Sequence, residues 1–116
     1  MHELPIIDRI LKIALKHAQA NKITKIVTIK IRIGKLSDLE EEWIQRYFRY
    51  LSRGSLAEGA KVRIEWMPIR MRCNNCQESY EVDRKNMMDR VCPACGGKDG
   101  NLLSGKEYYV KEMEVQ

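Results

Sequence analysis

The sequence predicts an α+β fold: two helices on one face of a small three-stranded mixed sheet, with a cysteine-bearing ribbon inserted ahead of the last strand. Two stretches carry apolar residues at helical spacing and three carry them at alternate positions. A strand, helix, strand succession falls within the first 68 residues, and strands joined by a helix are normally parallel and connected by a right-handed crossover. Between residues 69 and 105 the large apolar side chains thin out, and cysteine, glycine and asparagine take their place.

The first helix is read from Ile7, Ile10, Leu11, Ala14, Leu15 and Ala18, opposed by Asp8, Arg9, Lys12, Lys16 and Gln19. Pro5 suits its first turn, where a missing N–H costs nothing, and Asn21 is expected as a left-handed stop. Val27, Ile29, Ile31 and Ile33 alternate with polar residues up to Gly34, which predicts a half-buried strand. Ser37 with Glu40, or Asp38 with Glu41, reads as a capping box for a second helix whose stripe is Trp43, Ile44, Tyr47, Phe48 and Leu51, with Gly54 ending it. The run from Asp38 to Glu42 complements the positive end of that helix. Val62, Ile64 and Trp66 predict a second strand stopped by Pro68, and Trp43 and Trp66 are expected as core anchors between helix and sheet. The last strand spans residues 106–115, with Tyr108 and Val110 in one phase, Met113 and Val115 in the other, and an irregularity expected near Lys111 and Glu112. A lone strand is unstable in water, so it should return to the first sheet. The predicted division is therefore residues 1–68 plus 106–116 as one domain and residues 69–105 as an insertion.

The four cysteines form two Cys-x-x-Cys pairs, Cys73 with Cys76 and Cys92 with Cys95, fifteen residues apart. Two residues between thiolates let one tight turn aim both sulfurs at a single metal, and two such turns complete a tetrahedron. Disulfides suit a secreted chain and a redox dithiol suits a thioredoxin-like context, neither of which is present, so zinc is expected, with iron as its competitor. The insertion is then zinc-ribbon-like. Segments this small rarely fold without a metal or disulfides, so zinc is expected to serve as its core. Four thiolates leave no open position for water, which makes the zinc structural.

The chain carries 21 basic and 16 acidic residues, interspersed rather than blocked, for a net charge of +5. No stretch approaches a membrane span, and the start lacks the pattern of a secretory leader, so a cytoplasmic protein is expected. There is no Ser/His/Asp set, Gly-rich phosphate loop or His-Glu-x-x-His helix, which argues against an enzyme. His17, near the edge of the first helix's apolar face, is read as a core or partner residue before a metal ligand. Met87 and Met88 are read as gap-fillers before soft-metal ligands.

The amino terminus is chemically distinctive. The Met1 amine, the His2 amide and the His2 imidazole can close five- and six-membered chelate rings, a near-planar nitrogen set suited to Ni(II) or Cu(II), and Glu3 offers an amide nitrogen or a carboxylate as a fourth ligand. Met1-His2-Glu3-Leu4, Arg32-Ile33-Gly34-Lys35-Leu36-Ser37, Arg53-Gly54-Ser55-Leu56-Ala57-Glu58-Gly59-Ala60, the two Cys-x-x-Cys pairs and the closing strand together resemble the HypA/HybF family of hydrogenase and urease nickel-incorporation proteins. The resemblance covers essentially the whole chain.

That resemblance implies a nickel metallochaperone that delivers Ni(II) to the large subunit of [NiFe]-hydrogenase, and in some organisms to urease. Its partners would be a HypB-type GTPase and, for urease, the urease accessory proteins. It implies nickel at Met1, His2 and Glu3, with Glu40 or Asp38 as an extra carboxylate, and structural zinc at Cys73, Cys76, Cys92 and Cys95. Pro5 and the Tyr108-Tyr109 pair depart from the usual pattern without removing a ligand. An inserted domain with a returning strand can also exchange between chains, giving a homodimer. The competing reading is a zinc-ribbon nucleic-acid-binding protein that uses Arg63, Arg70, Arg72, Arg84, Lys85 and Arg90, although no aromatic side chains interleave with those charges.

Overall fold

The computed structural model describes residues 3–116. In chain order the elements are α1 (Glu3–Ala20), β1 (Ile26–Gly34), α2 (Glu41–Leu51), β2 (Lys61–Met67), β3 (Ile69–Cys73), β4 (Ser79–Val82), a 3-10 turn (Arg84–Asn86), β5 (Gly100–Ser104) and β6 (Tyr108–Val115). The strands form two three-stranded sheets, in the orders β2-β1-β6 and β4-β3-β5. The chain divides into two compact units. One holds the described residues up to Arg32, Asp38–Glu65 and Tyr109–Gln116; the other holds Ile33–Ser37 and Trp66–Tyr108.

In the first unit, α1 buries Ile7, Ile10, Leu11, Ala14 and Ala18, five of the six residues its periodicity marks, leaves Leu15 half-buried, and packs against α2. Asn21 closes α1 through its side chain, whose amide donates to the His17 carbonyl at 2.8 Å. The left-handed residue is its neighbour Lys22, at φ 55°, rather than Asn21. Neither expected capping box forms at α2. The N-cap is Glu40, without a side-chain cap bond, and the Ser37 hydroxyl instead donates back to the Gly34 carbonyl at 2.8 Å. The α2 stripe is also narrower than its sequence implies. Ile44 and Phe48 are buried, whereas Trp43 and Tyr47 are half-buried and stack on each other with ring centres 5.7 Å apart. Trp43 and Trp66 are both half-buried, so neither is a core anchor.

Along β1 the backbone donors change sides. Lys25 N–H faces the Gln116 carbonyl and Ile26 N–H faces that of Leu56, but at the far end Gly34 N–H faces Glu107 and Lys35 N–H faces Met67. Lys25 and Gly34 are nine positions apart, an odd number, yet both donate toward the β6 side, so the alternation must slip once between them. Burial locates the slip, because Ile26 is fully buried, Val27 and Thr28 are half-buried, and regular alternation resumes at Ile29, Ile31 and Ile33. The strand opposite shows the matching irregularity at Lys111 and Glu112, which are both exposed. Lys25 and Gln116 exchange backbone bonds in both directions, an antiparallel pairing, and Met67 meets Lys35 at the common C-terminal end of β2 and β1, as parallel neighbours do.

The second unit begins its sheet directly after Pro68. Central β3 pairs antiparallel with β4, opposing Met71 to Tyr80, and with β5, opposing Cys73 to Gly100. Ile69, Met71, Tyr80 and Val82 are buried together with Cys73 and Cys92, and Leu36, Met87 and Leu102 pack against them. The cysteines therefore share the interior with a real apolar cluster, and zinc need not act alone as its core. Met87 fills a gap as expected, while Met88 is almost wholly exposed.

Gly34 is where the backbone admits nothing else. A Cβ there would lie 1.9 Å from the Gly105 carbonyl oxygen and 2.6 Å from the Lys106 nitrogen, both main-chain atoms that cannot rotate away. Gly34→Ala should therefore destabilise the protein by about 1–3 kcal/mol, read as a lower urea midpoint with an unchanged slope.

Candidate metal centre

Each Cys-x-x-Cys pair folds the same way. Cys73 N–H donates to the Glu78 carbonyl at 2.9 Å and Gln77 N–H to the Cys73 carbonyl at 2.9 Å. In the second turn Cys92 N–H donates to Gly97 at 2.8 Å and Gly96 N–H to Cys92 at 2.7 Å. Both turns place the residue four positions after the first cysteine in the left-handed region, Gln77 at φ 67° and Gly96 at φ 76°. Glycine suits that conformation and a side chain strains it. Gly97 meets a different constraint: a Cβ would lie 3.3 Å from Cys95 Sγ and 3.5 Å from Cys73 Sγ, so its backbone approaches the sulfurs because it has none.

The turns bring four sulfurs together. All four Sγ atoms lie within 4.8 Å of one another, with Cys73 to Cys95 at 3.5 Å and Cys76 to Cys92 at 3.6 Å. A regular tetrahedron with metal–sulfur bonds of about 2.3 Å has edges of about 3.8 Å, so the cluster has the size zinc requires. The cysteines are all free thiols, since a disulfide needs about 2.05 Å between sulfurs. Cys73 and Cys92 are buried and Cys95 is exposed. Asn75 N–H reaches Cys73 Sγ at 3.4 Å. Backbone bonds from Cys76 and Asn75 pull the Cys73 thiol down to about 7. At Cys76 a backbone bond from Glu78 favours the thiolate, but burial and the sulfurs of Cys92, Cys95 and Cys73 outweigh it and push the thiol up to about 12. One group is thus ready to lose its proton near neutrality while another holds it, the behaviour of a cluster that needs a cation to ionise completely.

Of the residues expected at the nickel site, Met1 and His2 lie outside the described residues. Glu3 is buried in the first turn of α1, and its carboxylate accepts from Glu40 N–H at 3.0 Å. The structure thus joins Glu3 to Glu40, while the Asp38 side chain is exposed. His17 is exposed and lines a groove with Ile13, Ile23 and Met113, so it is not a core residue. Gln77 and Asn75 escape sequence reading because nothing local distinguishes them; only alignment of the two cysteine turns would have put Gln77 opposite Gly96.

In the metal-free protein one thiolate should appear near pH 7 in the absorbance at 240 nm and vanish in Cys73→Ser. With its folded pKa below the unfolded value near 8.5, this group adds stability that is complete above the unfolded value and is lost as pH falls through about 7. Gln77→Gly should raise the stability of the zinc-loaded protein by about 1 kcal/mol, measured by denaturant unfolding, because it relieves the left-handed strain.

A family model described as "Hydrogenase/urease nickel incorporation, metallochaperone, hypA" matches residues 1–115. The chain is 35% identical over 116 residues to a hydrogenase maturation factor HypA of Geobacter sulfurreducens, covering all of both chains. It is 34% identical over 114 residues to its counterpart in Moorella thermoacetica, covering 98% of each. In fold it resembles the solution structure of the Ni metallochaperone HypA from Helicobacter pylori, with a TM-score of 0.71 at 22% identity over 99% of this chain and 97% of that one. A second HypA solution structure gives 0.75 at 21% identity, over 100% and 97%. The protein is a maturation factor and not an enzyme, and the chain belongs to the HypA family of nickel metallochaperones of hydrogenase and urease maturation.

Proposed function

We propose that this chain captures Ni(II) at its amino terminus and hands it over during maturation of [NiFe]-hydrogenase, with urease as the client where that enzyme is present. The ligands are the Met1 amine, His2 and Glu3. The observation that carries this reading is the seat of Glu3: its carboxylate is buried and accepts from the Glu40 amide, so the donor it would bring to a planar nitrogen set is its backbone nitrogen. The same bond holds the start of α1 against the turn bearing Glu40 and Asp38, either of which could add an axial oxygen.

Capture displaces protons from the amine, with an ordinary pKa near 7.7–8.0, and from His2, near 6.5, so affinity falls as pH drops below about 6. Ligands at a chain end can be removed one at a time by an acceptor, so transfer avoids a state in which the metal is bare. Residues 1–68 with 106–116 act as the nickel-binding domain and residues 69–105 as the zinc-binding domain. Cys73, Cys76, Cys92 and Cys95 hold the zinc, which supplies a closed structural centre. The setting is the cytoplasm, and no helix among the described residues is long and apolar enough to cross a membrane. The partners are the hydrogenase large subunit, a HypB-type GTPase, urease accessory proteins where urease is served, and a second copy in a homodimer.

An anaerobic Ni(II) titration followed by visible absorption tests the site. The chain beginning at Met1 should show saturable binding with a square-planar band, and one extra residue ahead of Met1, or His2→Ala, should abolish it with zinc content and fold unchanged. Equal binding in all three would move nickel elsewhere.

A further inference from the structure

The C-terminal end of α2 and β2 enclose a cleft of about 500 Å3 whose lining includes Gln45, Phe48, Arg49, Ser52, Lys61 and Arg63 and no carboxylate. Among the described residues, neither Arg49, Lys61 nor Arg63 has an acidic partner. The exposed side of α2 continues this charge. At about 100° per residue, Arg46 follows Arg49 around the helix, and Tyr50, Trp43 and Tyr47 come next, while Arg53 lies just past the C-cap Ser52. Tyr50 is 62% exposed. The single acid within this stripe is Glu42, paired to Arg46 at 2.8 Å.

The arginines and rings are organised against one another. The Arg46 guanidinium lies 5.3 Å from the centre of the Trp43 ring, and that of Arg53 lies 5.5 Å from the Tyr50 ring. Trp43 in turn stacks on Tyr47 at an interplanar angle of 27°. A guanidinium held on a ring loses less freedom when it binds, and its fork of donors matches a carboxylate bidentately. Tryptophan, tyrosine and arginine are also the residues that dominate binding energy at protein interfaces.

We propose that the α2 surface running from Arg49 to Tyr50, together with Lys61 and Arg63 of β2, docks an acidic segment of a partner protein. Single-stranded nucleic acid fits less well, because its bases need open ring faces, and here Trp43 is already stacked on Tyr47 and approached by Arg46, while Tyr50 carries Arg53. A free phosphate would meet the negative, carbonyl-bearing end of α2, whereas carboxylates spread along a segment can follow the arginines away from it. The inference is independent of the nickel reading and is tested on zinc-loaded, nickel-free protein.

The probe is a fluorescein-labelled oligo-glutamate peptide, followed by anisotropy at low ionic strength, with a thymidine oligonucleotide and inorganic phosphate as competitors. The peptide should bind, and Arg49→Glu with Arg63→Glu should weaken it at least about tenfold, since several screened ion pairs are lost together. Arg70→Glu with Arg72→Glu makes the same change in net charge in the other unit and should alter affinity by less than about twofold, because neither residue belongs to the α2 surface or lines its cleft. If the first double variant fails to fold, Arg49→Gln with Arg63→Gln replaces it. Absence of binding, equal loss in both double variants, or displacement of the peptide by the oligonucleotide or by phosphate at lower concentration than by unlabelled peptide would overturn the proposal.

Discussion

Four sulfurs held within 4.8 Å of one another cannot all be thiolates unless a cation sits among them. That constraint organises the second unit. Two identically bonded turns are needed to aim the sulfurs inward, and each requires a left-handed residue and a carbonyl five positions on to receive the first cysteine's N–H. Those bonds fix where the chain leaves each turn. From the first it returns as β4 and from the second as β5, the two neighbours of β3, which ends in Cys73. The sheet is thus the continuation of the cysteine turns, and its inward residues Met71 and Tyr80 extend the buried surface that Cys73 and Cys92 begin.

Charge is also satisfied locally in the first unit. Glu65 is shared by Arg32 of β1, at 3.5 Å, and Lys111 of β6, at 3.1 Å, so one carboxylate ties all three strands of its sheet. The Lys111 ammonium holds the Glu65 carboxyl below its ordinary value, and the hydrogen bond with Tyr109 raises Arg32. These groups are too exposed to add much stability, but their alternating signs pin the register on the side away from Ile29, Ile31 and Ile33. Register needs such a device here, because β1 and β6 both carry an irregularity.

The sequence was most legible where the physics is periodic. Both helices, β1, β2 and β6 follow from apolar spacing, the return of β6 to the first sheet from the instability of a lone strand, and the four-sulfur cluster from cysteine spacing. Strands β3, β4 and β5 were not legible, because they have at most five residues each: Ile69-Arg70-Met71-Arg72 does alternate, but over too short a run to stand out in a segment poor in large apolar residues, and β5 sets Leu102 beside Leu103. The cap of α2 was misread for a related reason. Ser37 and Asp38 have the right chemistry for a cap, but Ser37 finds a nearer acceptor in Gly34, and the acid that reaches the Glu40 amide is Glu3, 37 residues away. No local rule finds a partner at that distance. Trp43 and Trp66 were overvalued as core anchors because bulk alone does not decide burial; Trp43 is instead held by Tyr47 and Arg46 on the surface of α2.

A chain that carries one metal while keeping another, as proposed above, must stop the two from exchanging, and the donor chemistry supplies the means. Raw affinity would not sort them, since Ni(II) and Zn(II) stand close together in the order of divalent ions. Geometry does. The cysteine cluster offers soft sulfurs at the corners of a tetrahedron, with no open position, and zinc has no electronic preference for any other shape. The proposed terminal site offers adjacent nitrogens that close small chelate rings in a plane, which Ni(II) accepts and zinc does not favour. Rigidity follows the same division. The sulfurs are fixed by two turns and a sheet, so an ion held among them leaves only when those turns open, whereas ligands at a chain end, as proposed for nickel, can be given up one at a time. A resident ion and a cargo ion can therefore be distinguished by how much of the fold must move to release each.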